Sequence, residues 1–153
     1  MREITHLIVH CSATPPGWNL RASKIKELHC AHPTQMVDWL PKPLPGKGWR
    51  DIGYHYVITR DGLLERGRLE TSPGAHVRGF NRNSLGICLV GGVTDEGISE
   101  ANYTEIQWQQ LENLLERLKE GYPNAKVRGH NNFNPYKDCP CFDVKDWWNN
   151  VQT

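Results

Sequence analysis

The chain has no excess of either charge, no long apolar run and no paired set of cysteines, and each absence closes off a class of protein. Lysine plus arginine (18) almost cancels aspartate plus glutamate (17). No broad basic field therefore exists to hold a phosphate backbone, and nucleic acid is not expected as a partner. No block of like charge suggests a tail. Apolar residues never run long enough to span a bilayer, so membrane insertion is not expected. Met1-Arg2-Glu3 leads directly into residues 4–10 without the apolar core of a signal peptide, which predicts synthesis in the cytoplasm. The five cysteines, at 11, 30, 88, 139 and 141, are odd in number and scattered, unlike a disulfide framework. At 153 residues the chain is expected to form one domain, 1–153, with a core that needs no staples. No internal repeat is present, and a monomer is expected.

What is present alternates between strand and helix. Residues 4–10 are β-rich and apolar, and Ala22, Ile25 and Leu28 then recur at helical spacing. Residues 31–48 carry Pro33, Pro41, Pro43, Pro45, Gly46 and Gly48, which exclude regular helix or central strand and predict a surface excursion. Residues 54–59 and 63–68 flank Asp61-Gly62 and read as a hairpin. Residues 85–90 read as a central strand ended by Gly91-Gly92. Thr104 and Gln107 fit a capping box, and Ile106, Leu111, Leu114, Leu115 and Leu118 form the stripe of a long helix stopped by Gly121 and Pro123. Residues 125–129 form a last strand, and Asp143 caps a terminal helix carrying Trp147 and Trp148. The predicted fold is α/β, with a central mixed β-sheet of about five strands flanked by helices.

Within this frame His130, Lys137, Cys139 and Cys141 fall in one loop, while His10 ends the first strand and His130 follows the last. Imidazole nitrogen and cysteine sulfur are zinc's preferred donors, and three protein ligands with one open position is the catalytic arrangement. A lone histidine or cysteine is more often a packed residue, and the His130-to-Cys139 spacing is wider than that of structural zinc motifs. For His10 and His130 to share a metal, their strands must be near neighbours running in the same direction, with their C-terminal ends at the edge where α/β sheets bind ligands.

The phrases His10-Cys11-Ser12-Ala13-Thr14, Asp51-Ile52-Gly53-Tyr54-His55-Tyr56, Gly74-Ala75-His76, Gly79 through Ile87, and Lys137-x-Cys139-Pro140 resemble, in order, the zinc-dependent N-acetylmuramoyl-L-alanine amidases of the phage-lysozyme type. Peptidoglycan recognition proteins share that fold. The resemblance implies hydrolysis of the amide between N-acetylmuramic acid and L-alanine in bacterial peptidoglycan by a phage or prophage endolysin. It implies one Zn2+ per chain held by His10, His130 and Cys139, with Tyr54 and Lys137 as catalytic residues. It also implies His76, Arg78 and Asn81 along the substrate groove, and action on the cell wall after release by another factor. Three departures stand out, the first being one residue more between His130 and Cys139 than in the family member compared. Cys141 occupies a position where serine is common, and the 31–48 insertion is longer than the equivalent connection, its Met36, Val37, Trp39 and Leu40 reading either as plain surface packing or as a lid or extra wall of the substrate groove.

Each site residue has a plainer reading as well. Tyr54 fits a packed strand aromatic, Lys137 a solvated charge, and His76 a loop residue satisfying backbone; His55 reads as structural. A binding-only module of the same fold and a cysteine hydrolase pairing His130 with Cys139 or Cys141 remain as other function classes. Chelation separates the last of these from a zinc enzyme. The zinc reading predicts loss of activity on chelation and recovery with added zinc, whereas a cysteine nucleophile would survive chelation and be lost to thiol alkylation.

Overall fold

The computed structural model describes residues 2–40 and 42–152; Met1, Pro41 and Thr153, and the readings placed on them, lie outside it. The elements in chain order are β1 (His6–Cys11), α1 (Ala22–Cys30), β2 (Met36–Val37), β3 (Leu44–Pro45), β4 (Tyr56–Ile58), β5 (Leu64–Arg66), β6 (Ser84–Leu89), α2 (Glu105–Gly121), β7 (Lys126–Gly129) and α3 (Val144–Val151). Five strands form one sheet in the order β5-β4-β6-β1-β7. β1 pairs in parallel with both β6 and β7, and β4 in parallel with β6, while β5 returns antiparallel through the hairpin turn. Gly62 supplies the positive φ (84°) at that turn.

The period-two alternation of the strands sorts side chains to two faces. Leu7, Val9, Tyr56, Ile58, Leu85, Ile87 and Leu89 join Leu111, Leu114, Leu115 and Leu118 of α2 and Trp148 of α3 in one apolar core. On the opposite face Val57, Cys88 and Val90 pack with Ile25 of α1 and with Ile52. His10 alternates out of the main core along β1 and stands on this second face, beside Cys88 of β6 in register. Both faces of the central strands are covered by helices, which is the condition under which parallel strands are found.

α2 begins as its sequence predicts. The Thr104 hydroxyl accepts the Gln107 N–H, and Gln107 Oε1 accepts the Thr104 N–H at 3.0 Å. Ile106, expected in the apolar stripe, is instead 51% exposed and lies over the hairpin turn beside Gly62. Five residues separate it from Leu111, about 140° around the helix, so it falls off the buried face. Gln107 takes the buried position, donating through Nε2 to the carbonyls of Ile58 (3.2 Å) and Val90 (2.8 Å) and so tying the helix start to two strand ends. The Pro-rich excursion forms its own two-stranded ribbon, β2 against β3, apart from the main sheet.

Because Gln107 is fully buried and satisfies three backbone groups, Gln107→Ala should lower stability by about 3 kcal/mol in urea denaturation. A loss below about 1 kcal/mol would contradict its role as the tie between helix and sheet.

Candidate metal centre

The parallel pairing of β1 with β7 sets His10 and His130 at one edge of the sheet, at the C-terminal ends of adjacent strands. Their rings lie 4.6 Å apart between centroids. His130 opens a short 3-10 turn, His130–Asn132, anchored by the Gly129 N–H on Asn132 Oδ1 at 2.9 Å. The loop then folds back, with the Asn131 N–H on the Cys139 carbonyl at 2.9 Å and Asn131 Nδ2 on the carbonyls of Asp138 and Phe142. That return brings Cys139 beside the two imidazoles. One ligand-capable atom from each of His10, His130 and Cys139 lies within 4.8 Å of the others.

The second sulfur of this loop is turned elsewhere. Cys141 adopts a positive φ of 75° and its thiol donates to the Gly92 carbonyl at 3.2 Å. Hydrogen bonding to Cys11, followed by burial, pushes the Cys141 thiol strongly upward. The Cys11 thiol is pushed up to about 12 by its hydrogen bond with Cys139 and by burial. Neither Cys11 nor Cys141 is therefore a ready thiolate at neutral pH. The Cys139 sulfur accepts the Cys11 N–H at 3.1 Å and lies 4.0 Å from the Cys11 carbonyl.

A cleft of about 390 Å³ opens over this cluster, with Tyr54, His76, Lys137, His29, Lys47 and Trp49 among its walls. Tyr54 precedes β4 rather than lying within it, its ring 5.2 Å from that of His10. Burial, then the neighbouring thiol of Cys88, holds the Tyr54 phenol well above its ordinary pKa, so it is a neutral proton donor. Lys137 is exposed on the cleft wall. Its charge, after burial, lowers the pKa of His130 and keeps that imidazole neutral and able to bind a cation.

His76 lies in the cleft wall, in direct contact with His10, whereas Arg78 and Asn81 do not line the cleft. Asn81 Oδ1 accepts the N–H groups of His76 and Val77, both at 2.9 Å, and so shapes the loop that carries His76. His29, at the end of α1, lies in the cleft against Trp49 (4.8 Å) and Tyr54 (5.6 Å) and was not among the residues singled out from the sequence. Its signal was hidden because it stands at the end of an amphipathic helix with no neighbouring motif. The insertion contributes Lys47 to the cleft, while Trp39 and Leu40 line a smaller cavity of about 150 Å³ that shares His29, Lys47 and Tyr54 with it. Of the four residues expected to form a lid or wall, Trp39 and Leu40 line this adjoining cavity, whereas Met36 and Val37 line neither it nor the cleft.

Comparison with known proteins follows the same lines. Residues 1–142 match the model of the N-acetylmuramoyl-L-alanine amidase family. The endolysin of Escherichia phage T7 is 43% identical over 148 residues, covering 96% of this chain and 87% of the relative. The endolysin of Enterobacteria phage T3 is 42% identical over 142 residues, covering 93% and 83%. In fold, the chain is similar to the N-acetylmuramoyl-L-alanine amidase LysC from Clostridium intestinale URNW, with a TM-score of 0.75 at 24% identity over 99% of this chain and 85% of that one.

Two buried imidazoles next to this cleft make stability pH-dependent. Burial lowers both His29 and His55 to about 4, so the unfolded chain, titrating near 6.5, takes up protons first. The stability of the neutral folded forms is complete above about pH 6.5 and is lost as pH falls toward 4, by on the order of 3 kcal/mol per imidazole. Urea denaturation of metal-free protein at pH 7.5 and 4.5 should show that fall, with His29→Asn blunting it; an equal slope in the variant would contradict the assignment.

Proposed function

This chain belongs to the N-acetylmuramoyl-L-alanine amidase family, and we propose that it is a zinc-dependent endolysin cleaving the amide between N-acetylmuramic acid and L-alanine in peptidoglycan. The observation that carries this reading is the meeting of His10, His130 and Cys139 within 4.8 Å at the floor of a cleft walled by Tyr54 and Lys137. Two imidazoles and a sulfur are a donor set suited to zinc, and three protein donors leave a coordination position free. Zn2+ held there would supply Lewis acidity to the amide carbonyl and lower the pKa of water toward neutrality.

The remaining chemistry falls to the chain's own groups. Lys137 places an ammonium where negative charge gathers on the carbonyl oxygen as the carbon becomes tetrahedral, an interaction stronger in the transition state than in the ground state. Tyr54 is held as a neutral phenol and gives its proton to the leaving nitrogen of L-alanine, which could not depart as an amide anion. His29, Trp49 and Lys47 line the cleft together with Tyr54. No helix among the described residues is long and apolar enough to cross a membrane; access to the wall is assigned to release by another factor.

Digestion of purified peptidoglycan tests this directly. Wild type and Cys141→Ser should release free L-alanine amino termini, Cys139→Ser should not, and Lys137→Ala should be slower by roughly 100-fold or more. New reducing sugars in place of amino termini would overturn the amidase assignment, and retention of activity by Cys139→Ser would overturn the ligand choice.

A further inference from the structure

We infer that His76 is a positioning residue of the metal centre: it selects the tautomer of His10 that turns the Nδ1 lone pair toward the cation. This rests on the zinc reading above. His10 Nε2 and His76 Nδ1 are 2.8 Å apart, with their rings nearly perpendicular (86°), and His76 Nε2 lies 3.2 Å from the Ser84 hydroxyl. One proton occupies the His10–His76 contact, and it has two possible owners. If it belongs to His76, His10 carries its own proton on Nδ1 and has no lone pair left for a metal. If it belongs to His10 Nε2, His10 Nδ1 is free to coordinate, His76 accepts at Nδ1, and the His76 Nε2–H donates to Ser84. Only the second arrangement serves a cation, and it aligns three side chains in one donor-to-acceptor chain. An imidazole ligand whose other ring nitrogen is held in this way is a better-oriented and more basic donor.

The backbone is built to keep His76 in this place. A Cβ on Gly86, which stands beside β1 in the sheet, would lie 2.6 to 2.8 Å from three His76 ring atoms, and one on Gly74 would lie 2.7 Å from His76 Cδ2. Both approaches exclude any larger residue without moving the ring. Asn81 fixes the loop from the other side through the His76 and Val77 N–H groups. His55, adjacent to His76 at 5.9 Å between ring centroids, accepts the Gly86 N–H at Nδ1 and donates from Nε2 to the Ser72 carbonyl, so both of its nitrogens are already engaged and it does not compete for the shared proton.

The experiment is zinc affinity by competition with a chromophoric chelator, for wild type, His76→Phe and His76→Asn, alongside KM for a muramoyl-peptide substrate. His76→Phe keeps the ring volume without an acceptor and should bind zinc 10- to 100-fold more weakly. His76→Asn returns an acceptor oxygen near the Nδ1 position and should recover most of that loss. If His76→Phe does not fold, Ser84→Ala, which removes the last acceptor of the chain, should still weaken zinc by a few-fold. Unchanged zinc affinity in the folded variants, with a raised KM alone, would make His76 a substrate contact and overturn the inference. Absence of zinc binding by wild type would instead overturn the zinc reading beneath it.

Discussion

The parallel pairing of β1 with β7 is the constraint on which the site depends. A parallel neighbour brings the C-terminal ends of two strands distant in sequence to the same edge, and here those ends carry His10 and His130. An antiparallel β7 would have placed the two imidazoles at opposite ends of the sheet. The strand pair is held in turn by core residues that alternate with the functional ones. Leu7, Val9 and Val127 face α2 and α3, and that burial leaves His10 on the other face, beneath the cleft. Packing of the apolar face and placement of His10 are consequences of the same two-residue period.

Burial is the second constraint, acting through charge. His10, His29, His55 and His76 are all held below the ordinary imidazole pKa, chiefly by removal from water. Four neutral imidazoles in one region give lone pairs and directed N–H groups without accumulating positive charge at the candidate metal centre. The thiols behave in the opposite sense: Cys11, Cys88 and Cys141 are pushed toward the protonated form. Among the five cysteines it is Cys139 whose sulfur lies with the imidazoles of His10 and His130.

Much of this was legible in the sequence because the signals were local. Strand ends, the Asp61-Gly62 turn and the Thr104–Gln107 capping box each depend on a few neighbouring residues, and the proposed ligands His10, His130 and Cys139, which the structure brings together, sit next to such boundaries. Other features were not legible because they depend on distant partners. Ile106 carries an apolar side chain, yet the helix geometry gives its place to Gln107, whose amide meets two carbonyls from other strands. Asn81 sits in a family motif, but its oxygen is occupied by the backbone of residues 76 and 77. For residues 31–48 the sequence left lid and wall open, since the cavities that Lys47, Trp39 and Leu40 share with His29 and Tyr54 are formed across the fold.

The central claim is that one cation is held by two imidazoles and one sulfur with a position left open. X-ray absorption at the zinc edge of the loaded protein tests it most directly. The account predicts one zinc per chain with a single sulfur, two imidazole nitrogens and one further light atom in the coordination shell. Two sulfurs in that shell, bringing in Cys141 or Cys11, or four protein ligands with no open position, would contradict it.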